Sequence, residues 1–506
     1  MNDPALVLAS FDCGRRRRNV LARLQASVLL LVILIGLAAR LGLYNYAGAG
    51  IWMSSLATVV TAWHFYSWRL AKHTVFEPYA LFLLAATLFN AGQGILEALH
   101  LNDNGILGNE FEPKLIIQAL YLVTLGLASL HFGAFFALTN HGAEKSGRIR
   151  TGTVQYHKRA KATRLAGYTC IAFSIVPLAF VLRDALTVSL AHGYGGLYGR
   201  QQSELLPGTV IAMAGFAIPG AMFVVAGSAG KKASVAFAAA LISIYSISML
   251  MVGFRSAAIM PLVAFSWIYD RSVRRLPGRV ILAVGVILLA VIPIVAEIRT
   301  SASYWRNRAK TFDQVLLEKN LIVTAVSEMG GSLRTVAYTI DLFPRTRRFD
   351  MGISYAYAAS TLIPNVQWKV HPAVSHGLLS DWLISNVDPD IARIGGVLGY
   401  SFLAEEFANF GWYGVALISA VLGYILIRLF RWGTADGDPA KAAMIAAFLA
   451  SFLVFARGES ASIVRSLAWY ACIPYLVACI ITSYLPRRQR PVMSSVSPKR
   501  RDGREG

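Results

Sequence analysis

The sequence predicts an all-α polytopic membrane protein with twelve transmembrane helices and one long outer loop. Three observations predict it. Only 15% of the 506 residues are charged and 56% are hydrophobic, whereas a soluble domain carries about 25% charged residues. The apolar residues come in uninterrupted runs of roughly 20, the length that crosses a bilayer core as helix. Lys and Arg gather on alternate connectors, which is how a polytopic chain sets its orientation.

In order, the spans fall at 24–43, 49–67, 78–99, 115–138, 165–182, 208–228, 233–253, 255–270, 280–296, 412–429, 440–456 and 466–485. Backbone groups in lipid must be satisfied within the span, so each is a helix. Residues 1–23 form a basic cytoplasmic N-terminus containing Arg15 to Arg18 and Arg23. The run after it is too long for a signal-peptide core and lacks a convincing cleavage site, so it reads as an uncleaved first span. Spans one to nine fill 24–296, with the eighth, 255–270, the shortest. Residues 141–164 form a basic inner loop, solvated or touching anionic head groups. The long loop covers 297–411 and the last three spans 412–485. Residues 486–506 are a basic cytoplasmic tail that reads as disordered.

Counting charges fixes the predicted orientation. With the N-terminus inside, 30 of the 48 Lys and Arg residues lie on the inner side. Of the other 18, 11 lie in the long loop, and long loops escape the positive-inside rule. Both termini are therefore expected in the cytoplasm and the long loop outside. That loop is rich in Tyr, Trp, Leu and Ile, so order is expected of it.

The net charge of +21 does not point to nucleic acid, because the basic residues flank apolar spans and do not share one amphipathic face. Cys13, Cys170, Cys472 and Cys479 form neither a disulfide framework nor a metal cluster. Cys472 and Cys479 share a helix face and read as packing. Phosphate-loop, dinucleotide and zinc-protease signatures are absent. Asp388-Pro-Asp390 reads as a turn more readily than as a metal site. No metal and no cofactor are expected.

The chemistry-bearing residues lie near one membrane face. Arg255 sits between two apolar runs, Arg299 follows the ninth span, and Arg457 and Arg465 bracket the last outer hairpin. Each alone reads as a side chain snorkelling to the interface. Together, with Arg334 in the loop, they are candidates to bind a lipid-linked pyrophosphate, because guanidinium grips phosphate oxygens in a bidentate fork and stays charged. Glu405 and Asn409, four residues apart, share a helix face, with Trp412 beyond. Glu405 is either a general base or a structural charge paired with an arginine. His371 and His376 read as structural before catalytic. Gly193-Tyr-Gly-Gly-Leu-Tyr-Gly199 is either a flexible connector or a sugar site lined by Tyr194 and Tyr198.

Five segments carry a family resemblance. They are Gly253-Phe-Arg255-Ser, Glu328-Met-Gly-Gly-Ser, Asp350-Met-Gly-Ile-Ser-Tyr355 with Ile363-Pro364, Gly399-Tyr-Ser-Phe-Leu-Ala-Glu405 with Asn409-Phe-Gly-Trp-Tyr-Gly414, and Arg457-Gly458. Over roughly 190–485 the chain resembles the Wzy-type O-antigen polysaccharide polymerases of bacterial inner membranes. That resemblance implies a membrane glycosyltransferase of the GT-C kind. It implies transfer of a glycan from undecaprenyl pyrophosphate to the terminal sugar of another lipid-linked repeat unit. Taken together with the residue reading above, Glu405 is the expected catalytic base, and Arg255, Arg299, Arg334, Arg457, Glu328, Tyr194 and Asn409 are expected to bind substrate. The neighbouring acid Glu406 leaves open which of the two carries the base role. Partners would be the undecaprenyl-pyrophosphate-linked oligosaccharide, membrane lipids and a chain-length regulator, with no nucleic acid. The competing readings are an O-antigen ligase, with the same chemistry and another acceptor, and a transporter or flippase of the lipid-linked oligosaccharide. A transporter site is expected near the midplane between paired repeats, and no repeat is visible here.

Overall fold

The computed structural model describes residues 4–40, 49–72, 74–140, 153–198, 206–300, 320–363, 370–396 and 398–486; the side chains of 4–14, 40 and 296–300 lie outside that description. Every regular element among the described residues is helical. The first ten helices are α1 (Pro4–Arg40), α2 (Ala49–Lys72), α3 (Pro78–Ala98), α4 (Pro113–Thr139), α5 (Val154–His192), α6 (Gly208–Ala214), α7 (Ala217–Ala226), α8 (Lys232–Val252), α9 (Arg255–Ser272) and α10 (Gly278–Thr300). The loop region holds α11 (Leu321–Met329), α12 (Ser332–Leu342), α13 (Ile353–Ser360), α14 (Pro372–His376), α15 (Leu379–Val387) and α16 (Pro389–Arg393). The chain closes with α17 (Phe402–Ala435), α18 (Pro439–Phe452), α19 (Ser460–Ser466) and α20 (Ile473–Tyr484). The protein is a multi-pass membrane protein.

Ten helical stretches among the described residues are long and apolar enough to cross a membrane. The other two expected spans, α2 and α9, are helices of 24 and 18 residues that fall outside that set. Polar residues dilute their hydropathy, and in α2 those residues point inward: Ser54, His64 and Ser67 are fully buried. Ser67 and Tyr79 each hydrogen-bond the buried His131 ring at 2.9 Å. Such groups face protein and not lipid. The expected tail beyond residue 486 and the first half of the basic inner loop lie outside the described residues.

Helices α3, α4 and α18 form the centre, whereas α1, α10 and α20 turn apolar side chains such as Leu30, Leu282 and Ile480 outward. The tightest contact joins α4 to α17. A Cβ at Gly133 would fall 1.8 Å from the Ala420 carbonyl oxygen, and one at Gly423 would fall 1.9 Å from that of Leu130. Two backbones meet there with no room for a side chain, the small-residue packing that draws helices together in lipid.

The described part of the long loop folds into a helical layer on one face. Helix α11 packs on α3 and α10, α12 on α4 and α17, and α13 on α19. Helix α17 starts at Phe402, ten residues before the expected span boundary at 412. It is two helices joined at Gly411, whose φ of 64° and ψ of −151° are not helical. That conformation is open to glycine almost alone. The half before the break, Phe402 to Asn409, is buried on all sides and belongs with the loop layer; the half after it is the span.

Candidate active site

The motif 350–355 docks directly on the first half of α17. Asp350 N–H donates to the Ala408 carbonyl at 3.0 Å and Met351 N–H to the Asn409 carbonyl at 3.1 Å. Gly352 N–H donates to Asn409 Oδ1 at 2.8 Å. The Asn409 amide donates to Ser354 Oγ and to the Glu405 carbonyl, both at 2.8 Å. Asn409 thus closes the i, i+4 contact that the spacing predicted. Trp412 lies past the break, with its ring 5.3 Å from that of Phe407.

Glu405 is 1% exposed. Ser354 Oγ donates to its Oε1 at 2.9 Å, Ser460 Oγ donates to the same oxygen at 2.6 Å, and Ser460 N–H donates to Oε2 at 2.7 Å. The carboxylate therefore sits at the N-terminus of α19, where backbone N–H groups favour an anion. Among the described residues its carboxylate accepts from two hydroxyls and a backbone N–H, and from no arginine. Glu406 is buried as well but faces elsewhere, accepting from Ser419 Oγ at 2.6 Å on the span side of the break.

Next to Ser460, the buried Glu459 accepts from Leu379 N–H at 2.9 Å, Ser380 N–H at 3.1 Å and Ser380 Oγ at 2.7 Å. Burial pushes its carboxyl up, and these three hydrogen bonds oppose the shift. Two adjacent residues of the last hairpin thus hold α17 and α15. Burial, with Glu406 and Glu405 nearby, pushes the Tyr355 phenol far above its ordinary range, so it stays a neutral donor. Its hydroxyl is buried and has no hydrogen-bond partner among the described residues.

A second cluster forms where α9 meets α11. Arg255 pairs with Glu328 and also donates to the Ile292 carbonyl at 3.1 Å. The Tyr194 ring lies 5.6 Å from Phe254, and its hydroxyl is 2.6 Å from that of Tyr198. Helix α3 ties the two clusters together. Asn90 accepts from Ser401 Oγ at 2.6 Å and donates to the Ala456 carbonyl at 2.9 Å. Gln93, one turn on, donates to the Ser327 carbonyl at 2.9 Å. Between these anchors, Arg457 packs against Gly399, where a Cβ would fall 2.3 Å from its Nε.

The other expected residues disperse. Arg334 turns away to Glu110 at 2.7 Å, and Arg465 lies over the Trp469 ring at 4.4 Å. The Arg299 side chain lies outside the described residues. Asp388 caps α16 by accepting from Ile391 N–H at 3.0 Å, and Asp390 pairs with Arg393 at 2.7 Å. His371 caps α14 through Ala373 N–H at 3.1 Å, while His376 stacks on Tyr357 at 4.1 Å. Sequence reasoning missed Ser460, Glu459 and Asn90 as site residues. The adjacency of Glu459 and Ser460 to Arg457-Gly458 was the available signal.

The family model for O-antigen polysaccharide polymerase Wzy matches residues 24–490, nearly the whole chain. The chain belongs to that family. Wzy polymerases act in polysaccharide biosynthesis, which sets a lipid-linked oligosaccharide and membrane lipids as the partners of this fold. No curated protein and no solved structure matches the chain. Residues of the segments 253–256, 328–332, 350–355 and 399–414 meet in the two clusters, while Pro364 lies outside the described residues.

Proposed function

We propose that the chain is an undecaprenyl-pyrophosphate-dependent polysaccharide polymerase with a GT-C-like membrane fold. It works at the periplasmic face of the bacterial inner membrane, with both termini in the cytoplasm. The observation that carries the site assignment is Glu405, a buried carboxylate that, among the described residues, is held by neutral donors from the loop layer and the last hairpin. A carboxylate without a cationic partner keeps its capacity to accept a proton.

In this reading the acceptor sugar hydroxyl displaces a serine hydroxyl from Glu405 Oε1. Its oxygen forms the new bond to the anomeric carbon of the donor glycan while the bond to the phosphate oxygen breaks. The proton passes to Glu405, and undecaprenyl pyrophosphate leaves with the bonding electron pair. Arg255 and Arg457 meet the developing charge, together with Arg299 from the loop edge. Glu328 and Asn409 hold the two sides of the site, with Tyr194 at its rim and Arg334 further out. A chain-length regulator is the expected protein partner.

The test is the glycan ladder of cells lacking this chain. Loss of long chains with a single repeat retained supports a polymerase. Loss of every repeat on the final carrier means a ligase or flippase and overturns the reading.

A further inference from the structure

The face opposite the loop layer carries a cavity of about 140 Å³ where α2, α3, α9 and α17 end. Arg431 in its lining lies on the second half of α17, past the Gly411 break, and roughly 30 Å of helical rise separates it from that break. The cavity is thus remote from the Glu405 pocket, and its chemistry is independent of the polymerase reading.

Its rim is basic. Lys72 comes from the end of α2, Arg271 and Arg275 from the end of α9, and Arg431 from α17. Two carboxylates share the lining. Asp270 is engaged by Arg275 at 3.1 Å and by Leu276 N–H at 2.7 Å, and Glu77 lies 4.0 Å from Lys72. Cations outnumber carboxylates four to two. The floor is aromatic: Trp68, Tyr79, Trp267 and Phe430 are all buried.

Cations that only set orientation need nothing but water around them. These are built in. Arg271 donates to the Thr434 carbonyl, which fixes its guanidinium against the end of α17. Lys72 lies 6.0 Å over the Trp68 ring and is only 27% exposed. Cations converging from three helices over an apolar floor, at the level where spans end, suit an anion with several oxygens.

We propose that this cavity is a binding site for a phosphate group, carried by a lipid head group or free in solution. Guanidinium forks would hold the phosphate oxygens and the aromatic floor would exclude water behind them.

The purified full chain would be titrated by native mass spectrometry with phosphatidylglycerol, with phosphatidylcholine, and separately with inorganic phosphate. The expected result is preferential retention of phosphatidylglycerol or of phosphate, weakened about tenfold or more in Arg271→Gln/Arg431→Gln. Phosphatidylglycerol retention that phosphate does not displace identifies a lipid head group. Phosphate binding without lipid preference identifies the free ion. Lys72→Gln leaves the α9–α17 tether intact and should weaken the same binding if the double variant proves unstable. Equal binding of both lipids and no phosphate binding by the wild type would overturn the proposal. So would unchanged binding in folded Arg271→Gln/Arg431→Gln and Lys72→Gln variants.

Discussion

Ser460 donates to Glu405 twice, from its backbone N–H at 2.7 Å and from its hydroxyl at 2.6 Å. Only one carboxylate oxygen, Oε2, receives a backbone N–H; Oε1 receives two hydroxyls. Hydroxyls can reverse from donor to acceptor, and a backbone N–H cannot.

The first prediction rests on that asymmetry. In Glu405→Gln the amide oxygen takes the Ser460 N–H while the NH₂ group donates to the serine hydroxyls. The protein should accumulate normally, yet chain growth should fall to background because an amide is no base at neutral pH. Glu406→Gln, facing Ser419, should retain more chain growth. Glycan ladders and membrane abundance, measured together, check both; a dead Glu406→Gln with a working Glu405→Gln would reverse the assignment.

Glu459→Gln should behave in the opposite way. Both of its oxygens receive backbone N–H groups, from Leu379 and Ser380. An amide must turn its NH₂ toward one of them and leave a buried donor unpaired, at a cost of about 1–3 kcal/mol. The expected outcome is a lower melting temperature and lower abundance, with chain growth per molecule affected less than in Glu405→Gln.

Tyr355→Phe removes a buried hydroxyl that has no partner among the described residues. Removing an unsatisfied polar atom is neutral or stabilising, so the melting temperature should hold or rise. If the phenol contacts substrate beside Glu405, chain growth should nevertheless drop. Normal ladders in this variant would assign Tyr355 to packing alone.

Gly411→Ala places a Cβ at φ 64°, ψ −151°, about 3.4 Å from the Phe349 ring. The backbone strain alone is worth about 1–3 kcal/mol. Reduced thermal stability is expected, with chain growth reduced beyond the loss of protein because the half-helix carrying Glu405 must reorient. A variant as stable and active as wild type would show that the break tolerates a side chain.

Topology is checked by labelling single cysteines in a chain whose own cysteines are replaced. Val374→Cys, in the loop layer and 71% exposed, should react with a membrane-impermeant maleimide in spheroplasts. Arg275→Cys, 86% exposed on the opposite face, should react only after the membrane is opened. The reverse pattern would invert the proposed orientation.

The helices were legible in the sequence because apolar runs are a property of single segments. The boundary at 412 was displaced because Glu405, Glu406 and Asn409 interrupt the apolar run, although protein and not water surrounds them. The pairing of Arg255 with Glu328 and of Ser354 with Glu405 joins residues 73 and 51 positions apart. All four belong to the family segments, but a segment by itself does not say which of its residues will touch another. Ser460 and Asn90 were missed for a further reason. A serine at a helix start and an asparagine inside a span look ordinary until the tertiary fold brings a carboxylate or a carbonyl to them.

Asn90 and Gln93 stand one turn apart on α3, the first holding the segments around Ser401 and Ala456, the second the segment around Ser327. The points at which the two clusters attach to α3 are therefore spaced by helical pitch, about 4.5 Å of rise for three residues, and not by the intervening loop. Connectors around the site are thereby released from setting its span. Within one such scaffold they can lengthen, shorten or exchange side chains to suit a different repeat unit while the two clusters keep their register.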